Sequence, residues 1–192
     1  MYPGIVCQGD LDKTAINYAV IVIQDPTTGD VMLTKRASHM RKHAGEFCFP
    51  GGKIEDNETI ENAALRELYE ETGLTISDID ILHNTTLPQA ATTYTTGLTF
   101  GVVYANLRIS QQQVESRLSL NPDEVELVKW FNPYNFDLQS DYGINGMKII
   151  VDHDDGSEVV GATADVLYAT FSNWTSNIPN ICLLYTSPSP RD

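Results

Sequence analysis

Positive charge is scarce in this chain. Twelve Lys and Arg stand against 26 Asp and Glu, a net charge of −14 over 192 residues. Such a surface is repelled by nucleic-acid backbones and anionic bilayers, which argues against either as a general partner. Cysteine is scarce too. Cys7, Cys48 and Cys182 form no CxxC pair and no disulfide framework, which suits a reducing compartment, with the cytoplasm as the expected location. No apolar run approaches the roughly 18 residues of a membrane span. The N-terminal stretch lacks the basic and apolar regions of a secretory signal, and no internal repeat is visible. The apolar fraction is nonetheless 42%, enough for one domain with a sizeable core. The few cations are clustered: Lys35, Arg36, Arg41 and Lys42 fall within eight positions, as an anion site would require.

Local patterns alternate between strand and helix. Ile16–Gln24 is rich in β-branched residues and reads as a buried strand, with Val31–Arg36 returning across the DPTTGD turn as a hairpin. Glu46–Phe49 reads as a short strand stopped by Pro50-Gly51-Gly52. A helix is expected from near Thr59, capped by Asn57 or Thr59 and closed by Gly73. Strands are expected at Ile79–Thr86, Leu98–Leu107 and Glu124–Phe131, and Ser110–Arg117 is a short helix or a polar excursion. Met147–Val151 and Glu158–Val160 flank an Asp155-Gly156 turn, and Gly161–Trp174 reads as a closing helix. Strands before, between and after helices predict an α+β architecture, a mixed sheet covered by helices. Residues 1–14 read as a loose lead-in, 15–178 as the domain, and 182–192 as a non-native or disordered tail.

The stretch Gly52–Leu74 carries the chemistry. On its helix, Glu67, Glu70 and Glu71 share one arc of roughly 100°, and Leu65, Leu68 and Tyr69 fall opposite as the expected core face. Three carboxylates within one turn repel one another. They also lie at the negative end of the macrodipole, where cations are preferred. Folding gives no reason for this arrangement, whereas a bound Mg²⁺ or Mn²⁺ does.

Gly52-x5-Glu58-x7-Arg66-Glu67-Leu68-x-Glu70-Glu71-x-Gly73-Leu74 resembles the Nudix box, with every fixed position filled. The resemblance implies the Nudix fold, an α/β/α sandwich, and metal-dependent hydrolysis of a nucleoside diphosphate linked to another group. Glu67 and Glu71 would hold metal, with Glu70 sharing an ion or taking a proton from water. The Gly51 carbonyl would be a further metal contact, and Glu58 an outer partner or ligand. Arg66 would pair with a neighbouring carboxylate. One more acid is expected outside the box, with Glu124 the first choice and Glu126 the second.

A second signature precedes the box. Leu33-Thr34-x-Arg36-Ala37-x3-Arg41-x3-Gly45-x3-Phe49-Pro50-Gly51-Gly52 resembles the motif of the coenzyme A diphosphatases, with Met32 where the pattern prefers Leu. The NPDEV stretch at Asn121–Val125 and the GATA stretch at Gly161–Ala164 resemble later parts of that subfamily, which often has Trp where this chain has Val160. The resemblance implies coenzyme A or its thioesters as substrate, cleaved to 3′,5′-ADP and 4′-phosphopantetheine. Arg36 and Arg41 would contact phosphates, with Gly45 and Gly52 in the binding loop and His39, Lys42 and His43 secondary. Cys48, Phe49, Trp130 and Trp174 read as packing residues. The rival expectations are an NADH or ADP-ribose diphosphatase and a non-catalytic nucleotide-binding module. Homodimerisation is left open.

Overall fold

A computed structural model describes residues 5–6, 16–83, 90–92, 98–137 and 148–171. The tail 182–192, the expected end of the closing helix with Trp174, and residues 84–89 and 93–97 lie outside the described residues. The strands are β1 (Ile5–Val6), β2 (Ile16–Gln24), β3 (Val31–Arg36), β4 (Phe47–Cys48), β5 (Gly51–Lys53), β6 (Ile79–Ile81), β7 (Ala90–Thr92), β8 (Thr99–Leu107), β9 (Val125–Phe131), β10 (Lys148–Ile150) and β11 (Glu158–Val160). The helices are α1 (Ile60–Thr72), α2 (Gln111–Arg117) and α3 (Gly161–Phe171).

The central sheet follows the order β1-β7-β8-β2-β3-β4, with β5 on β2, β6 on β8 and β9 on β3. It is mixed: β2 and β8 run parallel, and the other pairs are antiparallel. Alternate residues of β2 serve two cores. Ala19, Ile21 and Ile23 pack toward α1 and α2, while Val22 packs toward α3 and the β10–β11 hairpin. Burial on both faces explains why β2 and β8 read as near-continuous apolar runs. The α/β/α layering follows directly.

Several expectations change on contact with the fold. Ile5 and Val6, read as part of a loose lead-in, form β1 on β7, as two β-branched residues beside an open edge do. The expected β2–β3 hairpin is registered at a single pair, Gln24↔Val31. Beyond it β4 takes the β2 side of β3, whose other edge pairs with β9 throughout, and β2 takes β5. The strand read over 79–86 is β6, three residues within the described part. The side chain capping α1 is Thr59, which accepts from the Asn62 N–H at 3.1 Å. Asn57 instead takes a positive φ of 65° in the preceding turn.

The core face of α1 is also rotated from the expected one. Ala63, Ala64, Leu68, Glu71 and Thr72 are buried, whereas Tyr69 is 60% exposed. Small residues let the helix approach the sheet closely, and the inward turn of Glu71 carries Tyr69 outward. The three acids therefore straddle the buried boundary.

Candidate active site

The polypeptide around α1 converges on the acids from three directions. At the C-terminal end of the helix, Gly73 takes φ 78° and its N–H closes on Tyr69 O at 2.8 Å. The remaining end carbonyls are met by the segment that follows α2. Ser119 N–H donates to Thr72 O at 2.9 Å, and Asn121 N–H to Glu71 O at 3.1 Å. Asn121 then turns the chain, its side chain accepting from Asp123 N–H and its carbonyl from Glu124 and Val125 N–H. This anchoring brings Glu124 close enough to raise the proton affinity of both Glu67 and Glu71. Glu126 is turned elsewhere, held by Lys35 Nζ at 3.0 Å and Ser38 Oγ at 2.6 Å. The site thus contains the first-choice acid and not the second. The NPDE sequence had the signature of an Asx turn, but its docking on α1 is a long-range contact.

From the second direction comes the Gly51-Gly52 strand. A Cβ on Gly51 would lie 2.2 Å from Ala19 O, and one on Gly52 would lie 2.3 Å from Glu67 Oε1. The absence of a side chain at Gly52 is what gives the Glu67 carboxylate its room. The Gly51 backbone also lies close enough to Glu71 to favour its ionised form.

From the third direction comes β3. Thr34 pairs with Cys48 across β3–β4, and Thr34 Oγ1 lies 3.6 Å from Cys48 Sγ. Arg36, two residues on, shares that face and lies close enough to Glu71 and Cys48 to favour their ionised forms. The arginine expected at the substrate is thus directed to the carboxylates. Its Nε is buried with no hydrogen-bond partner among the described residues. Cys48 is a packing residue, its thiol pushed up to about 11 by burial and the Glu71 charge.

Arg66 is the hub of the acids. It forms a fork with Glu58, Nε to Oε1 at 3.0 Å and Nη2 to Oε2 at 3.0 Å. Nη1 reaches Glu67 Oε1 at 2.7 Å and Glu70 Oε2 at 3.2 Å, and Nη2 donates to Lys53 O at 2.9 Å. Glu58 is held below the usual carboxylate range by Arg66 and by the Glu55 N–H. Glu67 is shifted the other way, because burial outweighs its bond to Arg66. Glu71 is the extreme case. It is 4% exposed, and burial, then Glu67 and Glu124, push its carboxyl up to about 8 against the opposing pull of Arg36. Its Oε2 is buried with no partner among the described residues.

That orphaned oxygen is where a divalent cation would fit. A buried carboxylate oxygen with nothing to accept from costs free energy that a divalent ion would offset. The donor set is all oxygen, which suits Mg²⁺ or Mn²⁺. As the side chains stand, no three His, Cys, Asp or Glu groups among the described residues are arranged tightly enough to hold a metal. Arg66 occupies Glu67 Oε1 in this state.

The basic loop between β3 and β4 borders the same site. Ala37 N–H donates to Glu124 O at 2.9 Å, and Gly45, at φ 73°, turns the loop so that its N–H returns to Arg36 O at 3.1 Å. His39, Arg41, Lys42 and His43 are exposed along it. Phe49 belongs to the core, as its sequence context suggests.

Comparison with known proteins agrees with this geometry. The NUDIX domain model matches residues 14–150. Nudix hydrolase 3 of Caenorhabditis elegans is 33% identical over 130 residues, covering 66% of this chain and 50% of that protein. The Nudix hydrolase NudL of Yersinia pestis is 34% identical over 96 residues, covering 50% of this chain and 47% of that protein. The chain spans about half the length of the curated relatives it matches. Among solved structures, DR0079 of Deinococcus radiodurans superposes with a TM-score of 0.55 at 14% identity, over 81% of this chain and 83% of that one. A MutT/nudix family protein of Enterococcus faecalis gives 0.50 at 20% identity, over 82% and 61%. At these identities the structural likeness speaks for the fold.

Proposed function

The chain belongs to the Nudix family, and on that premise we propose that it hydrolyses the diphosphate of coenzyme A or its thioesters, with Mg²⁺ or Mn²⁺ as cofactor. The family accounts for diphosphate-bond hydrolysis in general. The observation that carries the substrate is the position of the basic loop, hydrogen-bonded through Ala37 to Glu124 at the border of the acids. Coenzyme A has a diphosphate and a separate 3′-phosphate, so it needs more cationic contact than ADP-ribose. The exposed Arg41, with Lys42 beside it, would supply that contact.

Glu67 and Glu71 are the residues proposed to hold metal, with Glu124, the Gly51 carbonyl and Glu70 completing the set. A bound divalent ion would neutralise phosphoryl oxygens and make a water more acidic. Water adds to one phosphorus, the bridging P–O bond breaks, and the departing phosphate carries the bridging oxygen. Glu70, 51% exposed by side chain, is the carboxylate best placed to take the proton of the water. Arg66 acts through others, fixing the rotamers of Glu67 and Glu70. Arg36 keeps positive charge beside Glu71.

Purified protein with Mg²⁺ or Mn²⁺ should cleave coenzyme A at higher kcat/KM than NADH, ADP-ribose or oxidised nucleotides. A reversed order would end the substrate assignment. Tight coenzyme A binding without metal-dependent turnover on any of them would make the chain a binding module.

A further inference from the structure

Two buried polar atoms beside the carboxylates lack a hydrogen-bond partner among the described residues: Glu71 Oε2, an acceptor, and Arg36 Nε, a donor. Their side chains carry opposite charges and are neighbours, since Arg36 lowers the proton affinity of Glu71. They nevertheless do not close on each other. Arg66 forms ion pairs with Glu58, Glu67 and Glu70, whereas Arg36 Nε and Glu71 Oε2 each stay unbonded. The backbone holds Arg36 where it is. Its N–H donates to Glu46 O at 2.9 Å, its carbonyl accepts from Gly45 N–H at 3.1 Å, and the Ala37 N–H that follows donates to Glu124 O at 2.9 Å. Anchors from the basic loop and from the 121–125 turn thus fix the point from which the side chain leaves. Lys35, on the opposite face of β3, is engaged with Glu126 at 3.0 Å.

A guanidinium placed this way acts by charge and not by contact. It favours the ionised form of Glu71 against Glu67 and Glu124, which oppose it, and it leaves Oε2 open to another ligand. The same charge repels a divalent ion at that oxygen. In a partly buried site one charge changes the affinity of a nearby ion by about tenfold or more. Removing the charge also raises the affinity of the carboxylates for a proton. An ion of charge two gains about twice what a proton gains, so the net change favours the ion.

We infer, on the reading of Glu67 and Glu71 as metal-holding residues, that Arg36 sets the metal affinity of the site: its fixed charge keeps the carboxylates from holding a divalent ion tightly by themselves, so phosphate oxygens of the substrate must share it. Arg36→Met removes the charge at similar length. Arg36→Gln is a second neutral variant should the first fold poorly, and Arg36→Lys keeps the charge. Each is titrated with Mn²⁺ in the absence of substrate, free Mn²⁺ being counted by electron paramagnetic resonance, with thermal unfolding in EDTA as a check on folding. Glu71→Gln is the control on the metal site. The neutral variants should bind Mn²⁺ about tenfold more tightly than wild type although they are less stable in EDTA, and Arg36→Lys should stay within about threefold of it. A merely structural arginine would lose stability without that tightening. If Glu71→Gln weakens Mn²⁺ binding and neither neutral variant binds it more than about threefold tighter, Arg36 does not set the affinity and the metal reading stands. Equal tightening in Arg36→Lys would put shape in place of charge and overturn the inference as well. If Glu71→Gln binds Mn²⁺ like wild type, the metal reading fails and the role of Arg36 with it.

Discussion

Replacing Glu71 by Gln should stabilise the metal-free protein at alkaline pH and leave it unchanged at acid pH. Glu71 has its carboxyl pushed from the ordinary 4.5 up to about 8, first by burial and then by Glu67 and Glu124. The unfolded chain keeps the ordinary value. Between those two values the folded state binds a proton that the unfolded state has released. Stability therefore falls as pH rises through that window. Each pH unit between the two values is worth about 1.4 kcal/mol, so the ionised side chain costs at most ~5 kcal/mol above the upper one. Half of that ceiling shifts Tm of a chain this size by roughly 5–10 °C. Gln keeps the shape and cannot ionise, so the variant escapes the loss. The assay is Tm against pH for both proteins in EDTA, at about pH 5 and about pH 9. Taking the difference between them removes the opposite slopes of Glu58, Asp78 and Asp152, whose carboxyls are held low. Adding Mn²⁺ should then raise Tm of the wild type and much less that of the variant. A difference equal at both pH values, or a variant less stable at pH 9, would refute the reasoning.

Four further predictions concern the site. Gly52→Ala should lower kcat at least tenfold, because the new Cβ displaces the Glu67 carboxylate; unchanged turnover would mean that Glu67 has room to move. Glu124→Gln should reduce turnover and metal affinity far more than Glu126→Gln, since Glu126 is occupied by Lys35 and Ser38; a reversed order in metal titrations would move the outer acid to Glu126. Arg66→Ala should cost about 2–4 kcal/mol in denaturant unfolding, as it leaves the half-buried Glu58 and Glu67 without their counter-charge; a loss under 1 kcal/mol would show that water replaces it. Arg41→Ala should raise KM for coenzyme A more than for dephospho-coenzyme A in steady-state assays; equal rises would show that Arg41 does not read the 3′-phosphate.

The elements that were legible in the sequence are those with strong local signals. β2, β3 and α1 match their expected bounds because apolar runs, Thr59 and Gly73 each act within a few residues. The hairpin at Asp155-Gly156 is local in the same way, whereas Ser110–Arg117, left between a short helix and a polar excursion, is a helix capped by Ser110. What escaped depends on distant partners. Gly51–Lys53 has no strand propensity and becomes β5 because glycine alone tolerates the approach to Ala19. The pairing of β3 with β9 sets residues nearly a hundred positions apart side by side. The helical wheel found the acid arc but not its rotation, because burial of Glu71 against Arg36 runs counter to the usual exclusion of acids from a core. The direction of Arg36 follows from pleat alternation once Thr34 is known to face Cys48.

The single registered pair between β2 and β3 makes the sheet a fork. One prong carries β5 and, packed on it, the carboxylate helix; the other carries β9, β4 and the basic loop. The apex is the turn between Asp25 and Asp30, where Gln111 Nε2 lies 2.9 Å from Asp25 Oδ2, 3.1 Å from Thr28 Oγ1 and 3.0 Å from Asp30 Oδ2. Near the other end, Ile21 N–H holds Pro50 O at 3.0 Å, a rung between the prongs. The gap between the acid and basic halves of the site is thus a span set by the stiffness of its two ends. A substrate that draws the halves together works against the apex and that rung, neither of which it touches.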